Sequence, residues 1–153
     1  MKKEKTLDNA KKDALMLLKV RPRSEWELSN RLLQKGYDDK VIENLIYEMK
    51  QKGFINDEKF AKLFAVDELE LKFKGPKYIE YELKELKVDE EIIAKIVDEM
   101  MEGVDLKELF KLFLKNHPND SYDKLFQKLV KRGFDPYTVK KLVREISKEM
   151  EVE

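Results

Sequence analysis

Apolar residues recur along this chain at helical spacing, in short stripes separated by Gly, Pro, Ser and Asp punctuation. Leu28 and Leu32 stand at i, i+4, and Ile42, Leu45 and Met49 at i, i+3, i+7, so each set lies on one face of an α-helix. The pattern then repeats. The segment 24–49, "SEWELSNRLLQKGYDDKVIENLIYEM", aligns without gaps to 75–100, "GPKYIEYELKELKVDEEIIAKIVDEM", and again to 121–146, "SYDKLFQKLVKRGFDPYTVKKLVREI", at offsets of 51 and 46 residues. Five apolar columns match: Leu28/Ile79/Leu125, Leu32/Leu83/Leu129, Ile42/Ile93/Val139, Leu45/Ile96/Leu142 and Met49/Met100/Ile146. Such columns predict a tandem helical repeat in which each unit buries its stripe partly against its neighbours.

Helix boundaries recur with the columns. Gly36 and Gly133 are placed where a helix ends on a left-handed residue, and Asp38, Asp89 and Asp135 follow as N-caps of the next helix. Pro136 takes a first helical position, where its missing N–H costs nothing. Gly53 closes another helix in "GFINDEKFA", with Asn56 or Asp57 capping the next, whose buried stripe includes Phe60, Ala61 and Phe64. A further amphipathic stretch precedes each aligned pair, at 8–20, 57–73 and 105–116. The expectation is an all-α fold of nine helices, a tandem array of three three-helix repeats (1–52, 53–103 and 104–153) forming an elongated, curved body.

Composition narrows the chemistry. No cysteine is present, which removes disulfides and thiolate metal sites and suits a reducing cytoplasm. The chain has no apolar run long enough for a membrane span and no apolar signal core behind its charged N-terminus, and it reads as soluble, cytoplasmic and monomeric. Five glycines cannot build a GxGxxG or Walker A loop, the single histidine, His117, precedes Pro118 in a link between helices, and no serine lies in a nucleophile elbow. An enzyme is therefore rejected, and no cofactor or metal is expected. The formal net charge is zero but uneven: residues 1–52 carry 13 Lys/Arg against 9 Asp/Glu, residues 53–102 carry 8 against 14, and residues 103–153 carry 11 against 9. Basic ends around an acidic middle argue against a chain that binds nucleic acid alone.

Candidate partner contacts are the cations that helix punctuation leaves unexplained. In "RPRSEWEL", Pro22 ends the first helix, Ser24 caps the second and Glu27 completes a capping box. Capping does not require Arg21 or Arg23, which are read either as partner contacts or as solvated surface. Trp26 lies off the Leu28/Leu32 stripe and either packs on the first helix or anchors a partner. Lys72, Lys74 and Lys77 crowd the turn at Gly75-Pro76 beside Tyr78. The full candidate surface is Arg21, Arg23 and Arg31 in the first repeat, Lys72, Lys74, Lys77 and Tyr78 in the second, and Lys128, Lys131 and Arg132 in the third.

The ordered set Arg21-Pro22-Arg23-Ser24-x-x-Glu27-Leu28, Leu32-x-x-Lys35-Gly36, Gly53-Phe54-Ile55-Asn56-Asp57-x-x-Phe60-Ala61 and Gly75-Pro76-x-x-Ile79 resembles the RecX family of regulators of the RecA recombinase. The family pattern has a glycine after the second-repeat helix where this chain has Leu86-Lys87-Val88, a change expected to cost a fraction of a kcal/mol in helix termination. The resemblance implies a non-enzymatic regulator that lies in the groove of RecA–DNA filaments, touching RecA and DNA. There it limits filament growth, ATP hydrolysis and strand exchange in DNA repair and the SOS response. A helix-turn-helix DNA-binding regulator and a repeat scaffold for another protein stand as alternatives.

Overall fold

A computed structural model describes residues 4–152, with side chains through Met150; residues 1–3 and 153, the outer ends of the first and third repeats, lie outside the described residues. Among the described residues there are nine helices and no strand. They are α1 (Leu7–Val20), α2 (Glu25–Gln34), α3 (Asp39–Gln51), α4 (Asp57–Glu70), α5 (Pro76–Glu85), α6 (Glu90–Gly103), α7 (Leu106–Asn116), α8 (Tyr122–Lys131) and α9 (Pro136–Val152). The all-helical expectation holds. The fourth helix ends three residues before the expected 73, because Phe73 leaves the helix in a left-handed conformation.

Five helix starts are capped by the side chains that the punctuation marks, while Glu27, expected to complete a capping box, gives its carboxylate to Arg21 and Arg23 instead. Ser24 Oγ accepts from Glu27 N–H at 3.1 Å, Asp38 from Val41 at 3.0 Å, Asn56 from Lys59 at 3.1 Å, Asp105 from Glu108 at 3.1 Å and Asp135 from Thr138 at 2.9 Å. Each satisfies an orphan N–H of the first turn. The helix ends share one motif as well. Tyr37 N–H donates to Leu32 O, Val88 to Leu83 and Phe134 to Leu129, closing a turn around a left-handed residue at 36, 87 and 133. Glycine fills two of these positions. Lys87 adopts φ 60° at the third, so the missing glycine leaves the turn intact and is replaced by a strained lysine.

The chain forms two compact units, Met1–Ala61 with Leu83–Ile93, and Lys62–Glu82 with Ala94–Glu153. In the first unit α1, α2 and α3 pack on one another around Ala10, Ala14, Leu28, Leu32, Leu45 and Met49. The Tyr37 hydroxyl donates to the Asp13 carboxylate at 2.5 Å inside this core. Burial, reinforced by that hydrogen bond, pushes the Tyr37 pKa up to about 12. In the second unit α9 packs on α7 and α8. Two of its aromatic contacts are edge-on, Phe73 to Phe113 at 5.3 Å and Phe110 to Phe134 at 5.0 Å.

The five matched columns are buried throughout except Leu142, which is half-buried. The structure adds two more. Tyr37/Val88/Phe134 are the buried residues that close each helix end, and Ile46/Val97/Val143 widen the stripe of each third helix.

Candidate partner-binding surface

Three kinds of position emerge among the ten candidate residues. Arg23 is largely buried, its side chain only 9% exposed. Its Nε donates to Leu17 O at 3.2 Å and its guanidinium meets Glu27 at 3.3 Å, tying the end of α1 to the start of α2. Burial, with Arg21 nearby, lowers its pKa while Glu27 opposes the shift. Arg21, more exposed, pairs with the same carboxylate and donates to Pro22 O at 3.0 Å. Both arginines are thus held within the capping segment, although the Ser24 cap itself, as expected, uses neither. Glu27 serves as their shared anchor.

The quasi-equivalent positions one repeat later carry different chemistry on the same spacing. Arg23 and Glu27 correspond to Lys74 and Tyr78, and there the ammonium lies 4.3 Å from the ring centroid. Hydrogen bonding to Glu82 raises the Tyr78 pKa. Lys72, at the place of Arg21, pairs with the buried Glu68 at 2.8 Å, and that hydrogen bond raises the lysine's pKa. In the third repeat Lys128 pairs with Asp120, holding that carboxyl below its usual range.

Arg132 is also committed. Its guanidinium donates to Lys72 O at 2.7 Å and lies 5.5 Å from the Phe113 ring. Beside it two backbone segments come into direct contact: Gly75 N–H donates to Arg132 O at 2.7 Å and Lys77 N–H to Gly133 O at 3.2 Å. The first unit uses the corresponding positions. Ser24 Oγ donates to Leu86 O at 2.9 Å, and residues 24 and 86 align with 75 and 132.

What remains is a short set of exposed cations. Arg31, Lys77 and Lys131 are exposed and make no ion pair among the described residues. They are the candidates whose charge is offered outward without an ion pair, although Lys77 lies near enough to Asp135 to add to the Thr138 hydrogen bonds that hold that carboxyl below its usual range. Exposed apolar side chains flank the paired cations, and sequence reasoning passes over them. Val20, 77% exposed, precedes Arg21, and Leu71, 73% exposed, precedes Lys72 at the aligned position. Their signal is an aliphatic residue off the buried stripe immediately before a cation. Trp26 is 41% exposed.

His117 is a turn residue, its Nδ1 2.8 Å from Phe113 O and its ring stacked on Phe113. Among the described residues no group of three His, Cys, Asp or Glu could hold a metal, and no helix is long and apolar enough to cross a membrane.

Two family models match the chain: the RecX first three-helix domain over residues 10–49 and the RecX second three-helix domain over 56–96. The chain belongs to the RecX family. A relative described as Regulatory protein RecX of Thermotoga petrophila is 41% identical over 133 residues, covering 87% of this chain and 81% of the relative. Another of the same description, from Listeria monocytogenes, is 28% identical and matches 91% of this chain but 54% of its own length. Among solved structures, the crystal structure of RecX from Lactobacillus salivarius aligns with a TM-score of 0.74 at 20% identity, covering 92% of this chain and 96% of that one. A second RecX crystal structure aligns with a TM-score of 0.70. The helical fold is thus a RecX fold, and the relatives of this chain are regulatory proteins.

Proposed function

We propose that this chain modulates the RecA recombinase, chiefly as an inhibitor, by seating as a monomer in the groove of the RecA–DNA filament. There it limits filament growth, and with it ATP hydrolysis and strand exchange in DNA repair and the SOS response of the cytoplasm. The observation that carries the reading is the pair of consecutive RecX domains over 10–96. The three tandem units at 1–52, 53–103 and 104–153 supply repeated outer faces for a repeated partner.

Arg31, Lys77 and Lys131 are the leading contacts to recombinase carboxylates or DNA phosphates, since pairing them requires no internal bond to break. Arg21, Lys72, Lys74, Tyr78 and Lys128 contribute at their exposed edges. Arg23 and Arg132 position their neighbours. The test is DNA-stimulated ATP hydrolysis by RecA with and without this protein, beside a gel shift on the same DNA. Suppressed hydrolysis with little shift of bare DNA supports the reading. A salt-sensitive shift of DNA with RecA activity unchanged overturns it.

A further inference from the structure

Each repeat has a groove between its first and third helices, and the three grooves differ in how far they are filled. In the first, lined by Lys11, Leu15, Met49 and Phe54, only about 60 Å³ stays open. The linker accounts for this: Ile55, 4% exposed, belongs to the same buried cluster as Leu28 and Met49. In the second, lined by Val66, Leu69, Met100 and Val104, about 270 Å³ is open, with Val104 of the next linker at its wall. In the third, about 720 Å³ is open between α7, α8 and α9. Its floor is Leu125 and Ile146, the counterparts of Leu28 and Met49. The helix that should turn away does not. Gly53, at φ 77°, ends α3, whereas Met150 stands at the aligned position and α9 continues to Val152.

The rim of the open cleft repeats the other half of the joint. Glu25 N–H donates to Asp57 Oδ1 at 2.8 Å, so the carboxylate at the start of α4 is held by the first turn of α2. Tyr122 is the aligned residue of α8; it lines the cleft and is 54% exposed. Lys115, also on the rim, makes no ion pair among the described residues.

We propose that the cleft between α7, α8 and α9 docks a helix-start segment of a partner protein: an aliphatic residue followed by an Asn or Asp cap and an acidic first turn. The chain's own residues 53–58 show the required chemistry, with Ile55 as plug, Asn56 as cap and Asp57 and Glu58 as the acidic turn. A second copy of the chain is a poorer occupant. The residue before its first cap, Thr6, is Lys5, which offers a cation where the cleft wants an aliphatic side chain, and faces Lys115 with like charge.

The probe is a fluorescent peptide of residues 53–70, titrated with the intact chain and followed by anisotropy. Saturable binding is expected, weakened at least about tenfold by Met150→Glu in the protein and by Ile55→Asp in the peptide. Met150 is 64% exposed, so the variant should keep its helical circular dichroism. Absence of saturable binding overturns the proposal. So does binding indifferent to Met150→Glu, which would place the peptide in the first-repeat joint. Self-association of the chain abolished by Met150→Glu would assign the cleft to a second copy and overturn it equally.

Discussion

Gly75 and Gly133 meet backbone to backbone: a Cβ on Gly75 would lie 2.5 Å from the Gly133 carbonyl carbon, and one on Gly133 would lie 2.7 Å from Tyr78 N. Neither obstacle is a flexible side-chain tip, so relief requires the backbone to move. Gly75→Ala should therefore destabilise the fold by about 2 kcal/mol or more, on the scale of overpacking a tight contact. Gly103 sits on a helical backbone with nothing within 4 Å of where an alanine methyl would stand, so Gly103→Ala should be neutral or stabilising by up to about 1 kcal/mol. Urea denaturation of the two variants separates the effects.

Lys87 holds a left-handed position that Gly36 and Gly133 fill elsewhere. Lys87→Gly should stabilise the chain by about 0.5–1 kcal/mol, the cost of that conformation to a side chain less the added freedom of glycine when unfolded. A raised denaturation midpoint with an unchanged slope is the expected result. A lowered midpoint would mean that the lysine contributes more than its strain costs.

Arg23 and Arg31 are both arginines of the first repeat, yet their substitution should have opposite consequences. Arg23→Ala removes the bonds to Leu17 O and Glu27 and should cost about 1–2 kcal/mol. Arg31→Ala should stay within about 0.5 kcal/mol of the parent, because an exposed charge without a partner contributes little. Thermal unfolding of each single variant checks the contrast.

Tyr37 sets an alkaline limit on the first unit. Its ordinary pKa is 10.0, and burial together with the hydrogen bond to Asp13 raises it to about 12. Below pH about 10 the phenol is neutral in both folded and unfolded chains, and the advantage is intact. Between about 10 and about 12 the unfolded chain sheds a proton that the folded chain keeps, so stability falls as pH rises, by on the order of 2 kcal/mol. Tyr37→Phe should flatten that part of the stability profile and remove a late-ionising component from the ultraviolet titration of the six tyrosines.

The helices are legible in the sequence because their signals are local. Leu28 and Leu32, or Ile42, Leu45 and Met49, lie within one or two turns of each other, and Ser24, Asp38 and Asp135 act on N–H groups three residues away. The buried Tyr37/Val88/Phe134 column escapes such reading because those residues follow a turn and fall outside any helical period. Phe73 gives no warning of its left-handed backbone, since aromatic residues rarely adopt one. The candidate surface is legible only as charge. Whether a cation faces outward or inward depends on partners such as Leu17 O for Arg23 and Lys72 O for Arg132, the latter 60 residues away. Asp13 and Tyr37, 24 residues apart, likewise carry no mutual signal in the sequence.

The outward cations are proposed to act on the RecA filament while the rest of the chain holds them in place. The most direct measurement is the concentration dependence with which the chain suppresses DNA-stimulated ATP hydrolysis by RecA, compared between the parent and an Arg31→Glu/Lys77→Glu/Lys131→Glu variant of matched thermal stability. Inhibition that needs at least about tenfold more of the variant is the predicted result. Superimposable inhibition curves would contradict it.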